Sequence, residues 1–331
     1  MPARLDELIE AQDLNGLLRA VDGLCEARAW DELLDLADRC EEALERGKQL
    51  WPISQHIDYR LALEAPGSVA ALVLDTRSTR FALGPLSEVA ASTHTWAELR
   101  DHIKEPQVAA YAAQERVLRG EVLNGDERAH PEVLELPLHL EEWEPTYRLA
   151  TFASNHVDIA EPWTPRAPLV ECNAEPGPEL DEPEITNALL DLVQPWTSES
   201  NGAARAVAAE GEAAAATSLL TYPPFRIGAL NIAEAVQLMA WAAASGGAHG
   251  RRRGAAYGRF LTWNTAALLA DLDWPPDGDE LARALADLRF FRWDEGGPEE
   301  GWVLRIAVDD PAHRWAAAIA ATDILESGEE M

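Results

Sequence analysis

Lysine, cysteine and methionine are the scarcest residues in this chain. Lys48 and Lys104 are the only lysines, and Cys25, Cys40 and Cys172 stand far apart. With no CxxC pair, neither a disulfide framework nor a cysteine zinc site is expected, and a reducing cytoplasm is the default compartment. No apolar run reaches about eighteen residues and no apolar stretch follows a basic N-terminal segment, so neither a membrane span nor a signal peptide is expected. Positive charge is short as well: 27 Lys and Arg face 58 Asp and Glu, a formal net charge of -31. Such a field repels phosphate backbones and argues against nucleic-acid binding. It leaves three uses for the acids: docking on a basic partner, mimicry of nucleic acid, or a solubilising surface.

Chemical motifs are missing too. There is no P-loop, no GxGxxG after a strand, no HExxH and no GxSxG. His102, His130, His139, His156 and His313 are isolated, and none has a partner at the i, i+4 spacing of a helical metal site. No cofactor, metal or catalytic residue can therefore be named from motifs.

What is present is material for a core. The chain has 331 residues, 47% of them hydrophobic, enough for one large domain or two. Its twelve tryptophans are spread evenly, which favours packing over a single aromatic cage.

Residues 1–120 read as consecutive helices on short loops, a helical bundle or a short solenoid. Cys25 and Cys40 fall on apolar helix faces. His56, Tyr59 and Arg60 form a polar cluster on one face, which suits inter-helix hydrogen bonding or a site. Val69 to Leu74 fits helix or strand, and Phe81 to Ile103 suggests two brief helices. Thr95 and Glu98 make a capping box, which reads His94 as a loop residue beside it rather than a base.

Residues 121–184 are rich in proline, tryptophan and acids and read as an irregular connector, packed down by Trp143, Tyr147, Phe152 and Trp163. Glu171 to Glu184 carries six acids. It lacks calcium-loop spacing and reads as a solvated loop. Residues 185–326 read as α+β. Ala203–Ala209, Phe225–Leu230 and a hairpin of Leu288–Trp293 with Trp302–Val308 are the expected strands. Pro311 to Leu325 is expected to close the domain as a helix, and residues 327–331 as a frayed tail. The fold class is mainly α with a smaller α+β part: an N-terminal bundle or solenoid, then an antiparallel sheet with helices.

One stretch breaks the acidic pattern. His249, Arg251, Arg252, Arg253 and Arg259 fall within eleven residues that hold no acid. Gly246, Gly250, Gly254 and Gly258 are each four apart, a spacing that lines one face of a helix. Interior helix glycines cost roughly 1 kcal/mol each, so the stripe implies close approach by a helix or a ligand. Arginines and free N–H groups at a helix start suit a phosphate or carboxylate. Equally, the arginines can pair with the chain's own surplus acids. The candidate ligand-binding set is His249, Arg251, Arg252, Arg253, Arg259, Gly246, Gly250 and Gly254.

That box with Thr262-Trp263, and the segments WPISQHIDYRLALEAPG and LGPLSEVAASTHTWAEL, resembles uncharacterised proteins of high-GC actinobacteria. The resemblance implies a family without an assigned activity, so no catalytic residue carries over. The leading expectation is a cytoplasmic binding or interaction protein whose box contacts a small anionic ligand or an acidic partner segment. The alternatives are an enzyme with His249 as general acid or base and arginines stabilising negative charge, and an acidic structural or inhibitory protein.

Overall fold

The computed structural model describes residues 2–76, 84–159, 168–297 and 299–325. Helix at 49% against strand at 16% makes the chain mainly α. It divides into two compact units. The first comprises Met1–Val133 with Thr151–Asp158; the second comprises Leu134–Ala150 with Ile159–Met331. The residues expected as a separate connector are thus shared between two bodies. The frayed tail, Phe81 and Trp163 lie outside the described residues.

The first unit runs α1 (Pro2–Ala11), α2 (Leu14–Glu26), α3 (Trp30–Glu45), α4 (Trp51–Glu64), α5 (Gly67–Thr76), α6 (Leu86–Thr93), α7 (Trp96–Leu99) and α8 (Pro106–Leu118). It is a bundle around α4, which packs on α2, α3, α5 and α6. Cys25 and Cys40 are buried within it. Val69 to Leu74 is helical, and the Thr95–Glu98 capping box is formed at both bonds. After a short helix α9 (Pro131–Leu134), the ribbon β1 (Thr151–Phe152) with β2 (Val157–Asp158) belongs to this unit.

The second unit is built on a sheet. Its elements are β3 (Val170–Cys172), β4 (Glu179–Leu180), α10 (Pro183–Asp191), α11 (Gln194–Ser198), β5 (Ala203–Glu210), α12 (Ala213–Thr217), β6 (Phe225–Leu230), α13 (Ile232–Ala244), α14 (Ala255–Leu269), α15 (Gly278–Asp287), β7 (Arg289–Asp294), β8 (Trp302–Asp310) and β9 (Trp315–Asp323). Among the described residues the seven strands lie in the order β3-β6-β7-β8-β9-β5-β4, each pair antiparallel.

That order bends the sheet. β3 and β4 sit at opposite edges yet are joined by residues 173–178 alone. Six strand spacings in a flat sheet cover roughly 29 Å, whereas seven residue steps reach only about 25 Å. The edges must therefore curl towards each other, and the joining strap crosses the concave face. Beneath it lies α12: the Gly177 N–H donates to Ala215 O at 3.3 Å and the Ser218 hydroxyl to Ala174 O at 2.8 Å. Val207, Ala209, Ala213, Ala216, Trp293, Ala307, Ala316 and Ala318 form the dry layer between α12 and the sheet. The acidic run read as a solvated loop keeps its acids exposed, but it takes in the end of β3, the strap, β4 and the start of α10. α10 and α13 also pack on the sheet, and α14 packs on both.

One expected element changes type. Pro311 to Leu325 contains strand β9 rather than a closing helix. Alanine-rich WAAAIAATD favours helix by local propensity. Here it is a central strand, paired on one side with β8 and on the other with β5. A strand covered on both faces shows no apolar–polar alternation, so the signal that would have marked it is missing.

Candidate functional site

The Arg/Gly box is not a helix. α13 ends at Ala244, and α14 begins at Ala255 after Gly254, whose φ of +91° suits glycine. Residues between them fold back on themselves: a methyl group at Gly246 would strike Gly250 O, and one at Gly250 would strike Gly246 O. Only Gly258 plays the role expected of a helical stripe. A Cβ there would fall 2.6 Å from Ala240 O and 3.0 Å from Ala244 Cβ, so its hydrogen lets α14 cross close over α13.

Several of the loop's N–H groups are taken by the chain itself. Gly247 donates to Ser245 Oγ at 3.0 Å, Ala248 to Asp323 Oδ2 at 2.6 Å, His249 to Ser200 Oγ at 3.1 Å and Arg251 to Glu199 Oε2 at 3.0 Å. An anion there would have to displace two carboxylates.

The arginines go separate ways. Arg259 is wholly buried. It donates to Glu144 through Nε at 2.8 Å and Nη2 at 2.6 Å, and to Pro137 O and His139 O at 2.9 and 2.8 Å. The Trp263 indole and the Tyr147 hydroxyl donate to the same carboxylate at 3.1 and 2.5 Å. Burial alone would raise the Glu144 carboxyl; the Arg259 charge and these bonds hold it below its usual value. Burial, then the Glu144 charge, pushes the Tyr147 phenol well up. Arg253 lies over the Tyr257 ring at 5.1 Å and closes two helix ends, donating to Ala243 O at 3.0 Å and to Asp191 O at 2.8 Å. Arg252 is buried. Only Arg251 and His249 present exposed side chains. These arginines therefore do not converge with His249 on a common reacting centre.

A hollow lies elsewhere, at one end of the helical unit. Three inter-helix turns meet there: α2–α3 with Cys25, Arg28 and Trp30, α4–α5 with Leu63 to Ser68, and α6–α7 with Thr93, His94 and Glu98. They enclose an open cavity of about 820 Å³. A second hollow of about 570 Å³ shares Leu63, Glu64 and Thr93 and extends past Asp22, Glu26, Arg60 and Phe152. Phe152 is set there by its ribbon, since the Tyr59 hydroxyl donates to Ala153 O at 2.5 Å.

The groove's polar groups are mostly engaged. Arg60 donates to Asp22 at 2.6 Å and to both Glu64 oxygens at 2.5 and 3.3 Å. The Thr93 hydroxyl donates to Leu63 O at 2.7 Å. His94 Nε2 lies 2.7 Å from Ala65 O and Nδ1 lies 3.0 Å from Ala90 O, so its ring fastens helix ends. Burial pushes the Cys25 thiol up to about 11, which leaves no thiolate nucleophile near neutral pH. Glu98 accepts from the Thr95 N–H and hydroxyl, which lower its carboxyl. Around a mixed floor that includes Leu63, Ala65 and Pro66, Asp22, Glu26, Glu64 and Glu98 outnumber Arg28 and the internally paired Arg60. Among the described residues no group of three His, Cys, Asp or Glu is placed to hold a metal ion, and no helix is long and apolar enough to cross a membrane.

Sequence reading touched this groove at Arg60 and at His94, but not its assembly. Its walls come from residues 22–30, 63–68 and 93–102, and no local pattern joins them.

Over residues 15–324 the chain matches, and so belongs to, the family of unknown function DUF6183. No curated protein and no solved structure matches it.

Proposed function

Because that family brings no activity with it, we propose a function from geometry alone: the chain is a cytoplasmic binding protein whose helical groove takes a basic, partly apolar peptide segment of a partner. One observation carries this reading. The groove pairs an acidic rim with a mixed floor that includes Leu63, Ala65 and Pro66, while its thiol, its buried imidazole and its arginine are tied into the fold. Such a site recognises without reacting. A net charge of -31 speeds the approach of a basic partner.

The test is fluorescence anisotropy of a labelled peptide alternating arginine and leucine, at physiological salt. Ser68→Trp fills the cavity, Glu26→Lys reverses its rim, and Glu175→Lys on the strap controls for bulk charge. The first two should weaken binding by about tenfold or more, and the third should leave it unchanged. Equal loss in all three would mean attraction by total charge alone and would sink the reading.

A second reading stays with the box. His249 and Arg251 are the side chains it leaves at the surface, and an anionic group on a partner could meet both. Loss of that partner in the Arg251→Ala, His249→Ala double variant, with Glu26→Lys harmless, would favour this reading over the groove.

A further inference from the structure

Beneath the Arg/Gly loop, two buried polar side chains converge. Trp196 from α11 is wholly buried, and Asp323 at the end of β9 is 1% exposed. Two glycines admit them. A Cβ at Gly247 would fall 3.1 Å from Trp196 Cδ1 and would strike Asp323 Oδ2. A Cβ at Gly202 would fall 2.7 Å from Trp196 O and 3.1 Å from Asp323 Cβ. Asp323 Oδ2 is satisfied by the Ala248 N–H at 2.6 Å. Among the described residues, Asp323 Oδ1 and Trp196 Nε1 have no hydrogen-bond partner. One is an acceptor and the other a donor.

A buried polar atom left without a partner costs about 1–3 kcal/mol, and native proteins meet such costs with internal waters making two to four bonds. We propose that this spot is a binding site for one long-lived water molecule, which accepts from the Trp196 indole N–H and donates to Asp323 Oδ1. The water ties α11 to the end of β9, and Asp323 holds the loop through the Ala248 N–H. This gives the glycines at 202 and 247 a reason independent of any external ligand: a side chain at either would press on the groups that hold the water.

The experiment is water–protein NOE spectroscopy on the full-length, nitrogen-15-labelled chain, with Trp196→Phe identifying the Trp196 indole signal by its loss. A cross-peak from that indole to a slowly exchanging water is expected. It should disappear or weaken severalfold in Asp323→Ala. An indole without a water cross-peak in the natural chain overturns the proposal, and so does a cross-peak unchanged in Asp323→Ala. Should Asp323→Ala fail to fold, a crystal structure of the natural chain decides. A water within hydrogen-bond distance of both atoms supports the site; a direct Trp196–Asp323 bond, or a water touching one atom only, overturns it.

Discussion

A guanidinium in a folded chain carries five donors and a charge that burial cannot remove, so its surroundings reveal its purpose. Arg259 meets one carboxylate through two nitrogens and two main-chain carbonyls besides, and Glu144 accepts from Arg259, Trp263 and Tyr147 in return. This cluster holds residues 134–150 onto α14. Glu144→Gln should strip the partner from a buried charge and cost about 3–5 kcal/mol, read as a fall in the denaturant midpoint. Arg259→Lys should cost a similar amount, because an ammonium cannot bridge the same four oxygens. A small change in either variant would mean that the cluster relaxes and water enters. The cationic composition of the box was plain in the sequence, and internal pairing with surplus acids was one of two readings. Which arginine took which partner was not legible: Glu144 lies 115 positions from Arg259, and no local pattern reports such a distance.

Elements differ in how much of themselves they announce. The Thr95–Glu98 capping box acts within one turn, so sequence finds it and the structure forms it. The hairpin of β7 and β8 was visible for the same reason, through alternation next to a turn. β9 was hidden because its conformation is set by neighbours on either side, which outweigh the helical preference of alanine. The glycine stripe misled in a third way. Regular spacing implied a helix, but a loop supplied three of the four positions, each for its own steric reason. Gly258 is the remaining one. Gly258→Val would drive carbon into the Ala240 carbonyl and should cost about 1–3 kcal/mol, seen as a lower Tm with secondary structure retained. A neutral result would show that α13 and α14 can part without loss.

For the molecule as a whole, charge decides the response to solvent. At neutral pH a formal charge of -31 repels itself. Added sodium chloride should therefore raise Tm, since screening acts on that repulsion more than on buried pairs. A fall in Tm would show that ion pairs dominate instead. Acid should act in the opposite direction. Burial would raise Glu144, Asp126 and Asp294, but Arg259, Trp96 and Arg226 respectively hold them below 4.5, 3.8 and 3.8. A carboxylate lowered on folding stabilises above its unfolded value and loses that contribution as pH falls through the folded one. Stability should thus decline below about pH 4.5, followed by circular dichroism, and Glu144→Gln should flatten the decline. At this scale the fold class was legible, because composition and helix spacing are summed over many residues. The groove was not, because three separate turns build it.

The strap over α12 bears on how the protein behaves among copies of itself. An open sheet ordinarily ends in two rows of unsatisfied backbone groups, each an invitation to a stranger's strand. Here the outermost strands are three and two residues long and are the two ends of one short tether. A single stretch of chain therefore guards both borders. A nick within it would unfasten them together, turning a self-contained sheet into a template for fibrils.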